Sequence, residues 1–122
     1  MKKYIHVVED NEDIRYIVEF FLMDFDYEVR LSANVKQFVA SLKEPLPDLY
    51  LVDVMLPDGN GLEICSHIKN NEETKHIPVI IMSAHSNEAE IRRESLADDF
   101  ISKPFDLNDL VASIEKQLQP LR

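Results

Sequence analysis

Five residues stand at the ends of separate apolar runs. Glu9 and Asp10 follow Tyr4 to Val8, Asp53 closes Leu49 to Asp53, Ser83 closes Val79 to Ser83, and Lys103 follows Phe100 to Ser102. Brought into one pocket, three carboxylates raise each other's pKa values unless a cation stands among them. Oxygen-only ligands of this kind suit Mg²⁺, which takes one or two protein carboxylates and keeps several waters. An ammonium and a hydroxyl around the same carboxylate are equipment for stabilising a transferring phosphoryl group. An aspartate can serve as its covalent acceptor. Asp53 is the best candidate, because the turn after it, Leu56-Pro57-Asp58-Gly59-Asn60-Gly61, can leave its carboxylate open. Singly, each residue has an ordinary reading. Glu9 to Asp13 can favour the positive end of a helix dipole. Asp53 can be a strand-end acid, Ser83 a helix cap and Lys103 a surface lysine. The ordinary readings lose force together, because four strand ends deliver complementary groups to one place.

The elements that would position these groups are legible as periodicities. Five apolar runs read as strands: Tyr4 to Val8, Glu28 to Leu31, Leu49 to Asp53, Val79 to Ser83 and Phe100 to Ser102. The third and fourth are apolar nearly throughout, as in parallel strands covered on both faces. Between them lie helical faces at 3–4 spacing. One is Ile14, Val18, Phe21, Leu22 and Phe25, and another is Val35, Phe38, Val39 and Leu42. Leu62, Cys65 and Ile68 make a third, and Leu107, Leu110, Val111, Ile114 and Leu118 the last. Asn34, Asn60 and Asp106 are the expected N-caps. The segment from Ser86 to Leu96 is the weakest helix, polar and offering mainly Ile91, with Leu96 second, to a core. Alternating strands and helices predict an α/β fold with a parallel sheet and right-handed crossovers. In such sheets ligands collect at the carboxyl ends of the strands, where the five residues stand.

Composition narrows the function. The 122 residues are read as a single domain, 1–122, with no repeat or linker. There is no apolar run near the length of a membrane span, the first residues Met1-Lys2-Lys3-Tyr4 do not read as a signal peptide, and there is a single cysteine, Cys65, so a cytoplasmic location is expected. A net charge of −10 repels phosphate backbones and anionic membranes, so no direct nucleic-acid or membrane binding is expected.

The segments VVEDNEDIR, DLYLVDVMLPDGNGLEIC, IPVIIMSA and ADDFISKPF, in that order and over nearly the whole chain, resemble the receiver domain of bacterial two-component response regulators. The resemblance implies a flavodoxin-like, doubly wound five-stranded parallel sheet of order 2-1-3-4-5 with five helices. It makes Asp53 the phosphoacceptor and Asp10 the acid that binds Mg²⁺ directly. Glu9 would act on the metal through water, and the Met55 backbone carbonyl would be a further ligand. Ser83 would hold the phosphoryl group, Lys103 would contact one of its oxygens, and Phe100 would be the switch aromatic. Met55 and His85 occupy positions that tune dephosphorylation, and Lys103-Pro104 is expected to be cis.

The implied function is a phosphorylation-activated switch. A sensor histidine kinase or phosphotransfer protein donates the phosphoryl group, and a face built on the fourth helix, fifth strand and fifth helix controls an output domain or partner protein. Such a chain is not an enzyme beyond its own phosphoryl transfer and dephosphorylation. It is either stand-alone or the N-terminal domain of a longer regulator, and a homodimer is possible.

Two features depart from the family pattern. The stretch between Ser83 and Phe100 is slightly shorter than usual, and Leu96-Ala97 replaces the small pair before Asp98-Asp99. The fourth helix is therefore expected to be short or irregular. Three competing functions fit less well. A pseudo-receiver would not need Glu9, Asp10, Asp53, Ser83 and Lys103 together. A haloacid-dehalogenase-type phosphatase wants a second acid where Met55 stands. A nucleotide-binding domain wants a glycine-rich loop, and the only glycines are Gly59 and Gly61.

Overall fold

The computed structural model describes residues 2–84, 89 and 95–119. Its elements run β1 (Tyr4–Val8), α1 (Glu12–Asp24), β2 (Glu28–Ser32), α2 (Val35–Ser41), β3 (Leu49–Asp53), β4 (Met55–Leu56), β5 (Gly59–Asn60), α3 (Gly61–Lys69), β6 (Val79–Ser83), β7 (Asp99–Ser102) and α4 (Leu107–Leu118). Five strands form one sheet in the order β2-β1-β3-β6-β7, and every neighbouring pair is parallel. Counting only these five, the order is the expected 2-1-3-4-5. β2 and β7 each extend one residue past the predicted run, to include Ser32 and Asp99.

The three inner strands β1, β3 and β6 are buried on both faces, the edge strands β2 and β7 only in part, and side-chain alternation divides the core in two. Tyr50 and Val52 of β3 join Val8, Phe38, Ile64, Cys65, Ile68, Val79, Ile81 and Phe100 beneath α2 and α3. Leu49 and Leu51 join Ile5, Val7, Val18, Leu22, Ile80, Met82, Leu110 and Ile114 beneath α1 and α4. This double coverage explains why the apolar runs of β3 and β6 do not alternate with polar residues.

Helix starts follow local hydrogen-bond chemistry. Asn34 accepts from the Gln37 N–H, Asn60 from the Leu62 N–H and Asp106 from the Asn108 N–H, as anticipated. α1 differs: Asn11 is its cap, through the Ile14 N–H, rather than one of the surrounding acids. Glu12 and Asp13 occupy the first turn, where the helix dipole favours them. Three predicted core positions are exposed, among them Leu96, which lies outside any helix. Phe25 lies past the last turn of α1, and Val39 lies on the outer side of the short α2. The two-stranded antiparallel hairpin β4-β5 has no apolar period and was not anticipated. Lys103-Pro104 is cis. The expectation of a short fourth helix, and His85 with it, falls largely on 85–88 and 90–94, outside the described residues.

Candidate functional site

Parallel register delivers the acids to one edge. Val8 pairs with Val52, so Glu9 and Asp53 leave the sheet side by side. Val52 pairs with Ile81 and Ile81 with Phe100, which brings Ser83 and Lys103 to the same edge. One ligand oxygen from each of Glu9, Asp10 and Asp53 lies within 4.8 Å of the other two. Asp10 is exposed, whereas Glu9 is 0% and Asp53 5% exposed.

Glu9 is the electrostatic centre. Its Oε1 accepts from Lys103 Nζ at 2.5 Å and its Oε2 from the Asn11 N–H at 3.1 Å. Burial pushes its carboxyl up to about 7, while the Lys103 and Asn11 hydrogen bonds pull the other way. Lys103 Nζ also lies 3.2 Å from Asp53 Oδ2. Burial alone would lower the Lys103 ammonium, but Glu9 and Asp53 outweigh it and hold it above the ordinary lysine value. One ammonium thus serves two buried carboxylates, and Asp10 brings a third negative charge from the solvent side. The donor set is hard oxygen with a net negative charge. That is the chemistry of a divalent cation that keeps waters on its open side, and the residues fit Mg²⁺.

Backbone packing holds the site open. Val54 N–H donates to Met82 C=O at 3.1 Å, and Gly61 N–H donates to Val54 C=O at 2.8 Å. A Cβ on Gly61 would come within 2.0 Å of the Asp53 carbonyl oxygen, so only glycine permits this close return of the chain. The hairpin then carries Met55 outward, 62% exposed. Ser83 is buried, its carbonyl accepting the Lys103 N–H at 2.8 Å. Phe100 packs into the α2/α3 side of the core at 6% exposure.

Of the predicted site residues, Glu9, Asp10, Asp53, Ser83 and Lys103 converge, Met55 adjoins them, and Phe100 lies in the core next to them. His85 lies outside the described residues. Arg15 had no assigned role, although it lies within VVEDNEDIR. Its Nη1 donates to the carbonyls of both Glu9 and Asp10 at 2.9 Å and fixes the acid-bearing turn. An arginine in the first turn of the helix that follows a strand-end acid pair is the signal that could have suggested this.

Comparisons with known proteins agree with this geometry. Residues 5–115 match the family model described as the response regulator receiver domain. The chain is 39% identical to the phosphate regulon transcriptional regulatory protein PhoB of Escherichia coli K12, over 94% of this chain and 51% of that protein. It therefore spans about half the length of the curated relatives it matches. A solved putative response regulator from Chloroflexus aurantiacus superposes with TM-score 0.90 at 26% identity, covering 97% of this chain and 98% of that one. The receiver domain of the sensor histidine kinase PA1611 from Pseudomonas aeruginosa superposes with TM-score 0.87 at 26% identity, with the same coverage of both chains. That structure holds a magnesium ion in its active-site cleft. No helix among the described residues is long and apolar enough to cross a membrane.

Proposed function

The chain belongs to the response regulator receiver domain family of two-component signalling, and we propose that it works as a switch by taking a phosphoryl group onto Asp53. The observation that carries this reading is the pairing of buried Asp53 and Glu9 with a single Lys103 ammonium, at 3.2 and 2.5 Å. The donor is a phosphohistidine on a sensor histidine kinase or phosphotransfer protein. An Asp53 carboxylate oxygen attacks phosphorus as the bond to the imidazole nitrogen breaks, and the donor histidine takes up a proton.

Glu9, Asp10, Asp53 and the Met55 carbonyl would hold Mg²⁺, Glu9 through water. When bound, Mg²⁺ would offset the carboxylate charge and that of the incoming phosphoryl oxygens. Lys103 exchanges part of its contact with Asp53 for a phosphoryl oxygen, and the Ser83 hydroxyl donates to another. Movement of Ser83 frees space beside Phe100, which biases a two-state core toward the active arrangement. The readout face, centred on β7 and α4, then acts on an output domain or partner protein. Water later hydrolyses the acyl phosphate, with the side chains at 55 and 85 setting its access.

A protein donor also needs a surface beside the acceptor. α1 exposes Tyr16, Ile17 and Phe20, the last at 79%. A groove of about 410 Å³ runs from Ile14, Ile17 and Val18 to Pro104, Phe105 and Leu107, with Lys103 and Ala84 at its edge. We assign this face to the helix that carries the donor histidine.

The test is intact mass after incubation with a small phosphodonor such as acetyl phosphate, with and without Mg²⁺. The expected result is a labile gain of one phosphoryl that requires Mg²⁺ and is absent in Asp53→Ala. No gain in the wild type under any donor would leave a fold used only for interaction.

A further inference from the structure

We propose that Asp58 is a positioning residue for the turn that presents the Met55 carbonyl, and that it acts by latching this turn to the first turn of α2. The inference rests on the functional reading above, in which that carbonyl is a metal ligand.

Asp58 is exposed and 23 residues from Val35, yet its carboxylate accepts two backbone hydrogen bonds there. Oδ1 takes the Val35 N–H at 2.8 Å and Oδ2 the Lys36 N–H at 3.0 Å. These are the first two residues of α2, whose N–H groups have no partner within the helix. α2 has no acid in its own first turn, and its cap Asn34 is engaged with Gln37. The helix therefore takes its N-terminal counter-charge from the hairpin. The Val35 N–H, followed by that of Lys36, holds the Asp58 carboxyl below its ordinary range.

The neighbouring glycine reports the same closeness. A Cβ on Gly59 would lie 2.8 Å from Val35 Cγ2, so hairpin and helix touch with no room for a side chain. At its other end the hairpin is tied by the Gly61 N–H to the Val54 carbonyl, against the Asp53 backbone. Between these two anchors, Met55 pairs with Asn60 and Leu56 with Gly59. The Met55 side chain is mostly exposed and cannot locate its own backbone by burial. Its carbonyl is placed by the hairpin, and the outer end of the hairpin is placed by Asp58. Charge and position are thereby shared between the metal-facing turn and α2. A group that shapes a ligand from outside the coordination sphere typically changes metal affinity by about tenfold or more.

The test is calorimetric titration of Mg²⁺ into the wild type, Asp58→Ala and Asp58→Asn. It is paired with far-UV circular dichroism and with the Val35 and Lys36 amide resonances during the same titration. Asp58→Ala should bind Mg²⁺ about tenfold more weakly with the fold retained. Asp58→Asn keeps one side-chain acceptor for two N–H donors and should fall between. The two α2 amides should move with Mg²⁺ in the wild type and lose that response in Asp58→Ala. Unchanged affinity in a folded Asp58→Ala, on a wild type that binds Mg²⁺, would overturn this inference alone. A wild type that bound no Mg²⁺ would overturn the functional reading and this inference with it.

Discussion

Lys103 Nζ lies 2.5 Å from Glu9 Oε1 and 3.2 Å from Asp53 Oδ2, so a single ammonium balances two carboxylates that are almost wholly buried. Removing it strands Glu9, which has no exposed surface. Lys103→Met should lose about 1 kcal/mol in urea denaturation at pH 7 without Mg²⁺, less than for an uncompensated buried charge, because the Glu9 carboxyl, already pushed up to about 7, is then buried protonated. The double variant Glu9→Gln/Lys103→Met should recover part of that loss, because the two groups are coupled. A loss in the double variant equal to the sum of the Glu9→Gln and Lys103→Met losses would mean that the pair is not coupled.

Asp10 is the exposed member of the acid cluster and contributes repulsion until a cation arrives. Asp10→Asn should therefore gain about 1 kcal/mol of stability in the Mg²⁺-free state. The same variant should lose the Mg²⁺-dependent rise in melting temperature that a ligand binding only the folded state confers. A Mg²⁺ response equal to that of the wild type would remove Asp10 from the metal site.

The α1 face predicts a split between donors. Phe20→Glu puts charge at the most exposed apolar position of α1 without altering the acids. Transfer from a histidine kinase that phosphorylates the wild type should fall at least about tenfold, the cost of losing an aromatic anchor. Transfer from acetyl phosphate should be unchanged. Equal loss with both donors would point to damage at the site rather than to docking.

His6 lies buried in β1, its Nε2 2.7 Å from Ser32 Oγ and its ring against Tyr50 and Phe38. Burial first, and the Arg30 charge second, push its pKa down from 6.5 to about 4. The unfolded chain therefore binds a proton below pH 6.5 that the folded chain refuses until about pH 4. Stability is full above pH 6.5 and declines as the pH falls toward 4, by about 3 kcal/mol from this residue alone. His6→Gln should flatten that part of the profile, and an unchanged slope would assign it to other groups.

The sequence was most informative where period and end chemistry coincide. β1, β3 and β6 have the predicted bounds, because both of their faces lie in the core and only His6 interrupts their apolar runs before the terminal Asp53 and Ser83. Asn34, Asn60 and Asp106 cap as expected, because a cap is a contact within a few residues. Phe25 and Val39 have apolar character at helical spacing, but a helix end and a two-turn helix present too little surface to bury them.

By itself, then, the sequence determined that acids, a hydroxyl and a lysine follow successive parallel strands, and in a parallel sheet they must share an edge. Only the tertiary structure decided how they divide the charge there. Lys103 reaches Glu9 across 94 residues, Arg15 ties down the Glu9-Asp10 backbone, and Asp58 reaches from the β4-β5 turn to the start of α2. No periodicity encodes such contacts, because each depends on the distance between two elements after the sheet has formed.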